Sequence, residues 1–213
     1  MRQPFPPLYA ILDPEFARLP LENLGIQLAE AGVRLMQLRA KRLAARQMYD
    51  QAAQLNQVLA SRDVTFIVND RADIAAMTGA AGVHVGQEDL PVEDARRICP
   101  APRWVGVSTH NLDQLREADA TSADYIAVGP IFPTGAKENP DPVVGVDFVR
   151  QARAITWKPI VAIGGITAEA AADVFRAGAD SVAVIRDLIA AHNPAARARE
   201  YMAIAERTRL RRE

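Results

Sequence analysis

Short apolar runs alternate with longer amphipathic stretches along the whole chain. Eight runs read as strands: Leu8–Leu12, Val33–Leu38, Thr65–Val68, Gly82–Val85, Trp104–Ser108, Tyr125–Val128, Pro159–Ile163 and Ser181–Ile185. Most are continuously apolar rather than alternating, which suits parallel strands covered on both faces. The stretches between them read as helices. Leu21–Ala31 stops at Gly32, and Ala45–Ala60 carries apolar residues at helical spacing. Thr167–Ala177 has an N-cap at Thr167 and a stop at Gly178, and Ala195–Arg207 follows Pro194. The segment between the third and fourth runs leaves room only for a brief helix. Strand–helix alternation eight times in 213 residues predicts a single-domain α/β fold, a (β/α)8 TIM barrel. That domain spans 1–213, with 1–7 as an N-terminal arm and 208–213 as a basic C-terminal tail. The alternative is an open doubly wound sheet.

Composition narrows the partners. Lys+Arg is 25 and Asp+Glu is 26, so the net charge of -1 argues against a chain-wide attraction to nucleic acid or an anionic membrane. No window reaches the ~20 apolar residues that span a bilayer. Cys99 is the one cysteine, which excludes an intrachain disulfide and a zinc ribbon. The expectation is a cytoplasmic protein with small-molecule substrates, free to form a homo-oligomer.

In a barrel, chemistry sits where strands end and the following loops begin. After the second run come Gln37, Arg39 and Lys41, alternate residues that project to one side. An amide and two cations suit a diphosphate, although a solvated rim would look the same. After the third run come Asn69 and Asp70, and after the fourth Gln87, Glu88 and Asp89. Carboxylates on neighbouring strands can converge on Mg2+, which takes one or two of them plus substrate phosphate. Helix capping is the competing account of Asp70 and Asp89. Ser108, Thr109, His110 and Asn111 close the fifth run; Ser108 can bind phosphate or cap a helix, and His110 is a general acid/base or a structural residue. His84, inside an apolar run, reads as a satisfied core residue.

The longest irregular stretch, residues 129 to 145, follows the sixth run and carries Thr134 and Lys137. It reads as a lid over an anion or as a surface loop. Gly164-Gly165 after the seventh run lets backbone N–H groups approach a phosphate, or simply makes a tight turn. Ile185-Arg186-Asp187 follows the eighth. Phosphate sites built from the last two loops recur in barrels. Spacing alone therefore suggests two anionic ligands at one mouth: an Mg-diphosphate and a monophosphate.

Seven motifs carry a resemblance to the thiamine phosphate synthase family from Leu8 to about Ile189. They are QLRAK (37–41), VNDRADIA (68–75), GVHVGQEDLP (82–91), GVSTHN (106–111), DYIAVGPIFPTGAK (124–137), VAIGGIT (161–167) and GADSVAVI (178–185). The resemblance implies coupling of a hydroxymethylpyrimidine diphosphate to a thiazole phosphate, with release of pyrophosphate and Mg2+ as cofactor. It implies that Gln37, Arg39, Lys41, Asn69, Ser108 and Lys137 hold the pyrimidine diphosphate. Of these, Arg39, Lys41, Ser108 and Lys137 would be catalytic. Asp70 and Asp89 would ligate the metal. Thr134, Ala136, Gly165, Ile185 and Arg186 would hold the thiazole phosphate. Two positions depart from the family pattern: Ala136 replaces a threonine of the Thr-x-Thr-Lys loop, and Arg186 replaces a serine. Rival expectations are a thiazole tautomerase, which needs acid/base work from His110, and a non-catalytic binding barrel.

Overall fold

The computed structural model describes residues 5–135 and 141–210. Eight parallel strands close into a barrel in chain order, β1-β2-β3-β4-β5-β6-β7-β8, with β1 paired to both β2 and β8. The open doubly wound alternative is thereby excluded. The strands are β1 (Leu8–Leu12), β2 (Leu35–Leu38), β3 (Thr65–Asn69), β4 (Gly82–Val85), β5 (Trp104–Thr109), β6 (Tyr125–Val128), β7 (Ile160–Ala162) and β8 (Ser181–Val184). The helices are α1 (Leu21–Glu30), α2 (Ala45–Ala60), α3 (Ala72–Thr78), α4 (Val92–Ile98), α5 (Leu112–Asp119), α6 (Gly145–Ile155), α7 (Ala168–Ala177), α8 (Arg186–Ile189) and α9 (Pro194–Arg209). Among the described residues, no helix is long and apolar enough to cross a membrane.

The boundaries move for local reasons. Val33 starts no strand, because its N–H donates to Leu28 O in the turn that ends α1. Thr167 stands at the N-cap of α7 without a side-chain capping bond; the Ala168 N–H goes instead to Asp187 Oδ2 at 3.2 Å. Asn193 Oδ1 caps α9 by accepting from the Ala196 N–H, with Pro194 at the first helical position. Residues 208 and 209 belong to α9, and the Arg209 guanidinium donates to Phe5 O and Asp180 O.

Alternation along each strand divides the apolar residues into two cores. One lies between the strands and the helical ring and holds Met36, Leu38, Val68 and Val105. The other fills the barrel and holds Tyr9, Ile11, Leu35, Ile67, Tyr125, Ala127, Val161 and Ala183. Phe5 of the N-terminal arm stacks on Trp104, ring centroids 5.4 Å apart, and contacts Tyr125 at 5.6 Å, so an aromatic plug abuts the interior. The Tyr125 ring needs room from β5: a Cβ on Gly106 would lie 2.0 Å from its Cζ.

Gly106→Ala therefore overpacks the interior. Such overpacking costs about 1–3 kcal/mol. At this chain length that lowers the thermal midpoint by about 2–12 °C. A melt followed by circular dichroism checks it, and an unchanged midpoint would show that Tyr125 relaxes without cost.

Candidate active site

A continuous chain of hydrogen bonds crosses the barrel interior. The Gln37 amide Nε2 donates to Tyr9 OH at 2.8 Å, and Tyr9 OH meets Tyr125 OH at 2.9 Å. Tyr125 OH lies 3.1 Å from His84 Nδ1, and His84 Nε2 lies 2.8 Å from Ser108 Oγ. Donor counting orients the chain. Tyr9 already accepts from Gln37, so its one proton goes to Tyr125; Tyr125 then donates to His84 Nδ1, and Nε2–H donates to Ser108 Oγ. With the Gln37 amide nitrogen toward Tyr9, the reverse direction would leave the buried Tyr9 O–H without an acceptor. Burial depresses the His84 pKa to about 4, with Asp89 opposing, so the ring is neutral as this assignment requires. Burial likewise raises the Tyr9 and Tyr125 phenols, which stay protonated. The outcome is a Ser108 hydroxyl proton and a Gln37 amide oxygen left without acceptor or donor among the described residues.

His84 is thus the satisfied core histidine expected, and it also sets the hydroxyl of a predicted site residue. Tyr9, Tyr125 and Asp13 were not among the predicted site residues. The tyrosines are hidden inside apolar runs. Asp13 is the first polar residue after β1, so the strand-end rule applied to that strand finds it.

The three polar residues after β2 diverge. Gln37 is buried inside the barrel. The Arg39 guanidinium reaches back to Asp13, whose side chain is 1% exposed, at 2.6 Å. Lys41 Nζ turns to the β3 loop and meets Asp70 Oδ2 at 2.7 Å. The expected common projection is therefore not what the structure shows, and the two cations already have carboxylate partners. Asn69 ends β3, nearly buried, with no side-chain hydrogen bond to a described residue.

Asp70 and Asp89 come together. Asp70 is held at φ +62°, in the left-handed region, by its N–H bond to His84 O at 2.7 Å. Its carboxyl lies near enough to Asp89 for the two to influence each other's charge. Burial raises the Asp70 pKa above the ordinary carboxylate value; Lys41 opposes that shift and Asp89 adds to it. Asp89 Oδ2 accepts from the Gly86 N–H at 2.7 Å and closes the β4 turn. Neither residue caps a helix: α3 has Arg71 at its N-cap and α4 has Pro91. Capping therefore does not account for the carboxylates. Among the described residues no third His, Cys, Asp or Glu joins them. Two hard oxygen donors would leave the other positions of a divalent ion to water and substrate oxygens.

Ser108 caps nothing either, since Asn111 Oδ1 caps α5 by accepting from the Asp113 and Gln114 N–H groups. His110 Nδ1 lies 2.6 Å from Gly129 O and its Nε2 lies 3.4 Å from Asp141 Oδ2, so both nitrogens face the β6–α6 loop. At the far side of the mouth that loop packs on the β7 turn. Ile131 and Phe132 N–H donate to Ile163 O and Gly164 O. Gly165 sits at φ +63°, and a Cβ there would lie 2.4 Å from Pro133 O, so packing itself requires glycine. Its N–H has no described protein acceptor. Ile185 precedes α8, and Arg186 Nη2 donates to Gly135 O at 2.7 Å. Thr134 lies on the same described stretch of loop; Ala136 and Lys137 lie outside the described residues.

The profile of the thiamine monophosphate synthase family matches residues 8–188. The chain belongs to this family. Among its relatives, the thiamine-phosphate synthase of Koribacter versatilis is 48% identical over 204 residues, covering 93% of this chain and 95% of that one. That of Chloroflexus aurantiacus is 41% identical, covering 94% and 93%. Among solved structures, the thiamine phosphate pyrophosphorylase of Pyrococcus furiosus superposes with a TM-score of 0.84 at 33% identity, covering 95% and 96%. The chain is accordingly an enzyme of the transferase class, and the family's barrel is the one described above.

Linkage gives a test of the carboxylate pair. A folded-state pKa raised above the unfolded value means that ionisation of Asp70 opposes folding as pH rises through it. Asp70→Asn, which keeps a side chain tolerant of positive φ, should raise the thermal midpoint at neutral pH in metal-free buffer. The gain should vanish below the ordinary carboxylate pKa of about 3.9. A lower midpoint at neutral pH would show that the Lys41 ion pair outweighs burial.

Proposed function

We propose that this barrel is a thiamine phosphate synthase. It joins 4-amino-2-methyl-5-hydroxymethylpyrimidine diphosphate to a thiazole phosphate, releasing pyrophosphate and forming thiamine phosphate. Family membership supports the reaction. The observation that carries the assignment of residues is the facing Asp70–Asp89 pair with Lys41, set beside the Gln37 and Ser108 ends of the interior chain.

The pyrimidine would lie over the interior chain. Gln37 Oε1 accepts from its amino group and the Ser108 hydroxyl donates to the ring or to the diphosphate. Asn69 supplies an amide at the same level. Arg39 and Lys41 exchange or share their carboxylate partners with diphosphate oxygens, and Lys137 joins them from the β6–α6 loop. Asp70 and Asp89 would hold Mg2+, which when bound offsets the charge gathering on the departing diphosphate. The C–O bond breaks with its electron pair leaving on pyrophosphate. The methylene cation is then captured by the thiazole ring nitrogen. No side chain acts as nucleophile, so the protein's part is alignment and leaving-group stabilisation. Thr134, the backbone at Ala136 and Gly165, and Ile185–Arg186 would hold the thiazole phosphate. His110, engaged by Gly129 and Asp141, is given no proton-transfer role.

Pyrophosphate release by the purified protein tests the reading, with each substrate and Mg2+ omitted in turn. Release should require all three. Asp89→Ala should keep the fold by circular dichroism and cut Mg-dependent release by at least about 100-fold, about 3 kcal/mol of lost transition-state stabilisation. Normal release by that variant would remove Asp89 from the metal site, and no release by wild-type protein that binds both substrates would make it a binding barrel.

A further inference from the structure

The hydrogen-bond chain inside the barrel does more than satisfy buried groups. It ties the polarity of Gln37 to that of Ser108. Its rings are fixed by packing. Tyr125 stacks on His84 with centroids 5.5 Å apart and meets Tyr9 edge-on at 5.9 Å. Phe5 and Trp104 back it at 5.6 and 6.3 Å. The phenol oxygens and imidazole nitrogens therefore keep their places, and only protons can be redistributed among them.

Two arrangements pair every link. In the first, Gln37 Nε2 donates to Tyr9 and each proton points on toward Ser108, whose own proton is left over together with the Gln37 amide oxygen. In the second the amide is turned over, each proton points back toward Gln37, and Ser108 donates to His84 Nε2. A mixed arrangement leaves a sealed phenol proton without an acceptor, or two sealed oxygens facing each other without a proton. The sense therefore changes along the whole chain or nowhere, and the two ends always differ in polarity. Changing it moves the imidazole proton from Nε2 to Nδ1, so the tautomer of His84 reports the sense.

The Gln37 end opens outward. Gln37 is a buried residue whose amide oxygen has no described partner, yet the sealed polar side-chain atoms that lack partners among the described residues are Arg153 Nε and Ser181 Oγ. The Gln37 oxygen is thus reached from outside, whereas the Tyr9 and Tyr125 side chains are sealed in. A 4-aminopyrimidine offers the two ends an amino N–H and the lone pair of the adjacent ring nitrogen. Its 4-oxo counterpart offers the reverse, a carbonyl oxygen and a ring N–H.

We propose that Tyr125 sets the polarity of both ends, making Ser108 the donor through His84 and Gln37 the acceptor through Tyr9, so that the site selects a 4-aminopyrimidine against its 4-oxo counterpart. Tyr125 and Tyr9 are positioning residues. This rests on the reading that the pyrimidine lies over the interior chain. With the 4-oxo ring the Gln37 oxygen would face a carbonyl oxygen, and the Ser108 proton would be left without an acceptor.

Spectroscopy and kinetics test it separately. Imidazole nitrogen shifts read by NMR should show His84 as the Nε2–H tautomer, and an Nδ1–H ring would overturn the proposal. In the pyrophosphate-release assay the 4-oxo analogue of the pyrimidine diphosphate should have a kcat/KM at least about 100-fold below that of the amino substrate. Tyr125→Phe keeps the packed ring and cuts the chain between Tyr9 and His84. It should narrow that preference at least about tenfold and give a mixed His84 tautomer. Tyr9→Phe leaves Tyr125 to donate to His84, so His84 should stay Nε2–H while the preference falls through Gln37 alone. A folded Tyr125→Phe protein with the wild-type preference and tautomer would overturn the proposal. Calorimetric titration with the two pyrimidine diphosphates in Mg2+ needs no turnover, so failure of the coupling reaction stays distinct. Tighter binding of the amino compound by wild-type protein, narrowed in Tyr125→Phe, supports the proposal even where no coupling occurs. Equal binding of the two compounds, or binding of neither, overturns it.

Discussion

A polar atom sealed inside a closed barrel must find its partner there. That constraint shapes the interior of this protein. Tyr9 and Tyr125 fill volume as ring carbon, yet each brings a hydroxyl that burial makes costly to leave alone. The solution is one unbroken chain from Gln37 to Ser108 through both phenols and His84. Its direction follows from proton counting, and it ends in an acceptor at one side and a donor at the other. The absent side chain of Gly106, the depressed pKa of His84 and the orientation of the Gln37 and Ser108 side chains are consequences of the same packing problem. Core stability and preorganisation of the site are here one set of contacts.

The rim obeys a second rule. Arg39 and Lys41 do not stand as bare cations waiting for an anion. Asp13, essentially buried, would be left as an uncompensated charge without Arg39, and Asp70 relies on Lys41 against both burial and Asp89. A diphosphate entering with a divalent ion would relieve both tensions: the cation takes the facing carboxylates and frees Lys41 toward phosphate oxygens. The same pairing keeps Arg39 and Lys41 matched by carboxylates in a chain whose net charge is -1.

Much of this was legible in the sequence, for identifiable reasons. Continuous apolar runs with glycine stops betrayed eight covered parallel strands, because a barrel strand is buried on both faces. Polar residues at or just past the ends of those runs singled out Gln37, Asn69, Asp70, Asp89 and Ser108, which the structure places around the strand ends. What stayed hidden depended on side-chain partners. Nothing in the order of residues says that Arg39 turns to Asp13 while Lys41 turns to Asp70. Nor does it say that a tyrosine in LYAIL speaks to a histidine in GVHV across the barrel. Nor does it say that Asp70 and Asp89 cap no helix, which shows only when the helix starts fall at Ala72 and Val92, beyond both residues.

Closure of the barrel also explains why the first turn matters more than its sequence suggests. β1 lies between β2 and β8, so the β1–α1 turn is the one loop that borders both the β2 loop and the last. It uses both sides. The Asp13 carboxylate faces Arg39 on one flank, and Phe16, whose N–H donates to the Asp13 backbone carbonyl, carries Arg186 on the other. The two contacts differ in kind. The ion pair neutralises its arginine, whereas the aromatic face orients its arginine and leaves the charge in place. One turn thereby holds two arginines of the mouth, one through a carboxylate and the other through an aromatic face.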